Sequence, residues 1–118
     1  MKKQKKKLNM LQNTRNSQEP PRVIIRSIID TFSNGQKKEA INEIESLIKD
    51  YPLAPLLFNV SGTFYKSNGQ LDIAVTKFEQ ALVLAPDYAE AHYNLGVTLR
   101  ELDKIEEAIK SYKKAISI

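Results

Sequence analysis

The chain has 118 residues, 42% hydrophobic and 27% charged, with 18 Lys plus Arg against 14 Asp plus Glu for a net charge of +4. Such proportions suit a soluble globular protein, and the absence of Cys excludes a disulfide scaffold, Cys-ligated zinc, an iron–sulfur cluster and thiol catalysis. A single histidine, His92, leaves a multi-histidine metal site without ligands, so no catalytic residue, metal or cofactor is expected.

The charge is concentrated at the start. Residues 1–20 hold Lys2, Lys3, Lys5, Lys6, Lys7 and Arg15 against Glu19 alone, while the rest of the chain carries 12 cations and 13 acids. The segment Leu8-Asn9-Met10-Leu11-Gln12-Asn13 is broken by polar groups and does not form the apolar run of a secretory signal. No window approaches the ~18 apolar residues of a membrane span. Residues 1–20 are therefore expected to be a basic, solvated, disordered tail. Contact of these lysines with nucleic acid or anionic lipid is not expected to be a main activity, because the tail offers no aromatic ring for base stacking. Abundant Lys and absent Cys suggest a bacterial cytoplasmic protein.

After the tail, the chain repeats itself. Ser-Asn-Gly-Gln stands at 33–36 and again at 67–70, an offset of 34. The same offset links Ala40, Ala74 and Ala108, then Pro52 and Pro86, then Ile44, Phe78 and Tyr112, then Gly62 and Gly96. The expected units are 21–54, 55–88 and 89–118, the last shorter than the others. In the first, Pro21 suits the first turn of a helix, where its missing N–H costs nothing. Asn34-Gly35 and Asn68-Gly69 are flanked by a period near 3.6, so they read as left-handed helix ends and not as hairpin turns. In the second unit, Leu56, Val60, Phe64 and Tyr65 are expected to mark the apolar face of a first helix. Leu71, Ala74, Val75, Phe78, Ala81 and Leu82 mark that of a second. Ile105, Ala108, Ile109, Tyr112, Ala115 and Ile116 repeat the pattern in the third. Pro52 and Pro86 fall where second helices must stop. The expected fold is all-α: six helices in three antiparallel pairs, with no strand.

A 34-residue helix–turn–helix unit with Gly at its eighth place, Ala at its twentieth and twenty-seventh and Pro at its thirty-second resembles the tetratricopeptide repeat. The first unit departs from the pattern, with Ile28 in the Gly place and Leu47 in an Ala place, as terminal units often do. Phe58 and His92 stand where the family usually has Trp, and Ser61 where it usually has Leu. The resemblance implies a right-handed α-solenoid whose concave face is lined by the first helix of each unit. Its function would be a non-catalytic scaffold holding a peptide or partner segment. On that face it places Arg22, Ile25, Arg26, Ile29 and Ser33, then Asn59, Thr63, Lys66 and Ser67, then Glu90, Tyr93, Asn94, Val97 and Arg100. The Lys/Arg/Asn set with which some relatives hold a chaperone's C-terminal carboxylate is absent: Ile25, Ile29, Val60, Glu90 and Asn94 stand at the matching places.

The run Ala89-Glu90-Ala91-His92-Tyr93-Asn94-Leu95-Gly96 is also similar to repeats that precede O-GlcNAc-transferase-type and other bacterial transferase domains. That similarity implies a peptide-backbone contact for Asn94 and an alternative function, an accessory segment that recruits substrate to a larger enzyme. His92 occupies a packing place. The last helix keeps the apolar stripe of an internal one, so either further chain covers it or it self-associates, through Ile109, Tyr112 and Ile116.

Overall fold

A computed structural model describes residues 19–118, which contain six helices and no strand. They are α1 (Arg22–Ser33), α2 (Lys37–Asp50), α3 (Pro55–Ser67), α4 (Leu71–Leu84), α5 (Ala89–Glu101) and α6 (Ile105–Ser117). The lysine-rich start and the expectation attached to it lie outside the described residues.

Each pair closes through the same local device. Gly35 (φ 90°) and Gly69 (φ 79°) take the left-handed conformation that ends a helix, and Asp103 (φ 61°) takes it in the third unit. One residue further on, the amide N–H of Gln36 donates to Thr31 O (3.2 Å), that of Gln70 to Tyr65 O (2.9 Å) and that of Lys104 to Leu99 O (2.8 Å). Three closures with one geometry, spaced by the sequence offset, satisfy helix carbonyls that would otherwise be orphaned. The expectation from Asn-Gly thus holds, while Pro21 sits one residue earlier than expected, as the N-cap, and Pro55 occupies the first turn of α3.

Helices pack on their neighbours in the chain, α1 on α2, α2 on α3 and so on to α6, with α3 also meeting α5. The first core gathers Ile25, Ile28, Ala40, Ile41, Ile44, Leu47, Leu57 and Phe64. The second gathers Ala74, Phe78, Leu95, Leu99 and Ala108, and a small third holds Phe58, Ala81 and Ala91. The small residues permit this closeness. A Cβ on Gly62 would stand 2.6 Å from Phe78 Cε1, and one on Gly96 2.8 Å from Tyr112 Cδ1.

The face of α3 differs from the expected one. Leu56 is 43% exposed, whereas Leu57, Phe58, Ser61, Gly62 and Phe64 are buried. The helix is covered on two sides, by α2 and α4 and by α5, so its buried surface is wider than a single stripe and centred one residue later. Phe64 also stacks on Phe32 of α1, with centroids 4.3 Å apart and planes 8° from parallel.

Candidate functional site

Helical periodicity decides which first-helix residues remain available. On α1, Arg22, Arg26 and Ile29 are exposed, but Ile25 is only 6% exposed and belongs to the core. On α3, Thr63 is exposed, its hydroxyl donating back to Asn59 O (2.9 Å), and Lys66 is half-buried. On α5, Tyr93 is 55% exposed, Val97 is half-buried and Arg100 is exposed. Tyr93, Val97 and Arg100 follow one another at i, i+4 and i+7, one row on the helix surface.

Two asparagines expected on the groove surface are used differently. Asn59 is 3% exposed, and its amide NH2 donates to the Tyr88 hydroxyl (3.4 Å). Asn94, half-buried, donates from its Nδ2 to Asn59 Oδ1 (3.0 Å). The chain Asn94–Asn59–Tyr88 joins α3 to α5 and to the turn before it, because α5 lies against α3 and closes over the fifth place of the second unit. Asn59, expected on the groove surface, is thus buried in the packing between α3 and α5, and Asn94 is half-buried with its amide N–H engaged by Asn59. Burial raises the Tyr88 hydroxyl pKa and the nearby Glu90 charge adds to this, while the Asn59 bond opposes it.

Charge on this surface is partly paired. Lys66 Nζ lies 3.5 Å from Glu101 Oε1, linking α3 to α5. Among the described residues, no acid lies within ion-pair distance of Arg22, Arg26 or Arg100.

A second polar cluster escaped the sequence reading. The Ser61 hydroxyl, fully buried, donates to Glu45 Oε1 (2.6 Å), and Lys77 Nζ donates to Glu45 Oε2 (2.9 Å). Lys77 also stands 5.9 Å from the Phe58 ring centroid. The signal was a hydroxyl in a column that the family fills with Leu, since a buried hydroxyl needs a partner. Burial, with Glu45 nearby, raises the Tyr65 pKa. The cluster ties α2, α3 and α4 together, and all three polar groups are satisfied within it.

His92 is half-buried, with Nε2 2.7 Å from Pro86 O, so its ring is committed to the interunit turn. Among the described residues, no group of three or more His, Cys, Asp or Glu could hold a metal, and no helix is long and apolar enough to cross a membrane. At the far end, Ile109 is 46% and Ile116 85% exposed. Tyr112, placed with them by the sequence, is half-buried: its ring lies over Gly96 and tilts against Tyr93, with centroids 5.8 Å apart.

Comparison with known proteins agrees with this geometry. A family profile described as TPR repeat matches residues 62–103, and one described as tetratricopeptide repeat matches 89–118. Residues 62–118 thus carry tetratricopeptide repeats. A curated relative, the protein FlbA of Caulobacter vibrioides, is 28% identical over 81 residues, which is 69% of this chain and 14% of FlbA. The chain therefore spans about a seventh of the length of that relative.

Solved structures show the same fold. The first tetratricopeptide domain of Spaghetti (RPAP3), bound to the HSP90 peptide SRMEEVD, superposes with a TM-score of 0.77 at 24% identity, covering 80% of this chain and 75% of that one. The Sgt2 domain from Aspergillus fumigatus gives 0.78 at 21% identity, covering 86% and 70%. MamA gives 0.71 at 24% identity, covering 74% and 51%. Tetratricopeptide pairing thus accounts for all six helices as an α-solenoid, including the first unit, which the family profiles leave unmatched.

Proposed function

We propose that this tetratricopeptide chain is a non-catalytic scaffold that holds a partner peptide along the surface formed by α1, α3 and α5. The observation that carries the reading is the row Tyr93, Val97 and Arg100 on α5. It sets an exposed ring, an aliphatic side chain and an exposed guanidinium in line on α5, which the Lys66–Glu101 pair ties to α3 with its exposed Thr63. Arg22 and Arg26 extend the cationic character along α1. An extended peptide with an apolar residue for Tyr93 and Val97 and a carboxylate for the arginines fits this surface. A chaperone tail held by its terminal carboxylate is not the expected partner. Of the residues at the matching places, Ile25 is buried and Asn94 is engaged with Asn59.

The test is fluorescence anisotropy of a library of labelled extended peptides, acidic and neutral. Acidic-aliphatic members are expected to bind, and the double variant Tyr93→Ala/Arg100→Glu is expected to weaken them by at least about tenfold while keeping its melting transition. Binding that survives this variant, or a library with no binder, would refute the reading. A second reading rests on the likeness of the run Ala89–Gly96 to repeats that precede transferase domains: the repeats are an accessory segment recruiting substrate to a larger enzyme, as the much greater length of FlbA would leave room for. The open reading frame beyond residue 118 separates the two. A catalytic domain there favours the accessory segment, and a stop within one further helix favours the stand-alone scaffold.

A further inference from the structure

The stripe on α6 can be compared, position by position, with one whose covering is visible. Leu71, Val75 and Leu82 on α4 stand one repeat before Ile105, Ile109 and Ile116. On α4 all three are half-buried, and Val75 and Leu82 pack against the core that Leu95 and Leu99 of α5 form with Phe78. On α6 the equivalents are 46%, 46% and 85% exposed. The α6 stripe therefore has the pattern of a helix-covered surface that no helix among the described residues covers. Its spacing of four, three and four residues through Tyr112 is that of a coiled-coil seam.

Charge on the outer edge of the stripe distinguishes α6 from α4. Glu106 and Lys113 are both exposed, two turns apart on the same edge, whereas the places one repeat earlier carry two acids, Asp72 and Glu79. A second α6 laid antiparallel, with a two-fold axis between Ile109 and Tyr112, brings Ile105 of one copy to Ile116 of the other. It also sets Glu106 beside Lys113 at both ends. A parallel two-fold partner would put the two charged edges on opposite sides of the seam, Glu106 and Lys113 of one copy facing Ala108 and Ala115 of the other, and α4 laid antiparallel on itself would meet acid on acid. Only the antiparallel arrangement of α6 is self-complementary in both shape and sign.

We infer that the α6 stripe docks a second copy of this chain, as an antiparallel two-fold dimer seamed by Ile105, Ile109, Tyr112 and Ile116 and bordered by reciprocal Glu106–Lys113 pairs. This dimer borders the peptide surface at Tyr93, whose ring tilts against Tyr112, but Glu106 and Lys113 belong to neither that row nor its arginines, so reversals at these two residues test the dimer separately from peptide capture. The experiment is sedimentation equilibrium of the 118-residue chain over a range of concentrations, with far-ultraviolet circular dichroism to confirm equal helicity of the variants. The parent is expected to show a monomer–dimer equilibrium. Glu106→Lys and Lys113→Glu are each expected to raise the dissociation constant about tenfold, and the double reversal E106K/K113E to restore it to within about threefold. A parent that stays monomeric overturns the inference. So does a dimer insensitive to the single reversals, which would point to another surface, or a double reversal that fails to restore association.

Discussion

Asn94 donates its amide to Asn59 Oδ1 at 3.0 Å, and Asn59, 3% exposed, passes the chain on to the Tyr88 hydroxyl. A residue that looks like a ligand contact in sequence is thereby a clasp between the second and third units. Asn94→Ala leaves a buried carbonyl oxygen without its donor and is expected to cost about 1–3 kcal/mol in urea denaturation. A double-mutant cycle with Asn59→Ala should show clear non-additivity. Additive losses would mean that the two amides do not act as a pair.

Gly62 and Gly96 occupy the same repeat place yet should respond differently to alanine. A Cβ at Gly62 meets Phe78, which is fully buried and has nowhere to move, so overpacking of about 1–3 kcal/mol outweighs the helix-propensity gain of about 1 kcal/mol. At Gly96 the obstacle is Tyr112, half-buried at the end of the stack and able to swing outward at concentrations where the chain is monomeric. Gly62→Ala is expected to lower the melting temperature and Gly96→Ala to leave it nearly unchanged. Equal losses at the two places would show that Tyr112 is as fixed as Phe78.

The Ser61–Glu45–Lys77 cluster yields a prediction about polar burial. Glu45→Ala strips the buried Ser61 hydroxyl of its acceptor and Lys77 of its counter-charge, with an expected cost of about 1–3 kcal/mol. Replacing all three with apolar residues of similar size should recover much of that loss, because no buried polar group then lacks a partner. Chemical denaturation of the single and triple variants checks both statements.

Alkaline pH should weaken the fold. Tyr65 and Tyr88 have pKa values raised above 10.0, by burial first and by Glu45 and Glu90 respectively second. Because the native state disfavours the phenolates, this contribution is complete below the unfolded value near 10.0 and is lost as the pH rises through the native values. Tyr88→Phe is expected to flatten the loss of stability above that pH. A pH profile identical to the parent's would remove Tyr88 from the account.

Much of the fold was legible in the sequence because helix ends and close contacts demand particular residues. Gly35 and Gly69 supply left-handed closures, and Ala40, Ala74, Ala81 and Ala108 are all but inaccessible where helices touch. The groove was less legible. A helical face is easily read from periodicity, but which part of it a third helix covers depends on stacking between units. That is why Asn59 and Ile25 were expected outside and lie inside, and why Leu56 was expected inside and lies outside. The Glu45–Ser61–Lys77 contact joins three helices, and no offset within one unit announces it.

Contact only between near neighbours makes this chain a row of couplings in series. The middle pair, α3 and α4, is flanked on both sides, whereas α1 and α6 each have one flank. Opening should therefore travel inward from the two ends, with amide hydrogens of α3 exchanging last and those of α6 among the first. A partner that clamps α6 would slow exchange beyond its own footprint, in α5 and α4, by removing one of the two ends from which the row unzips.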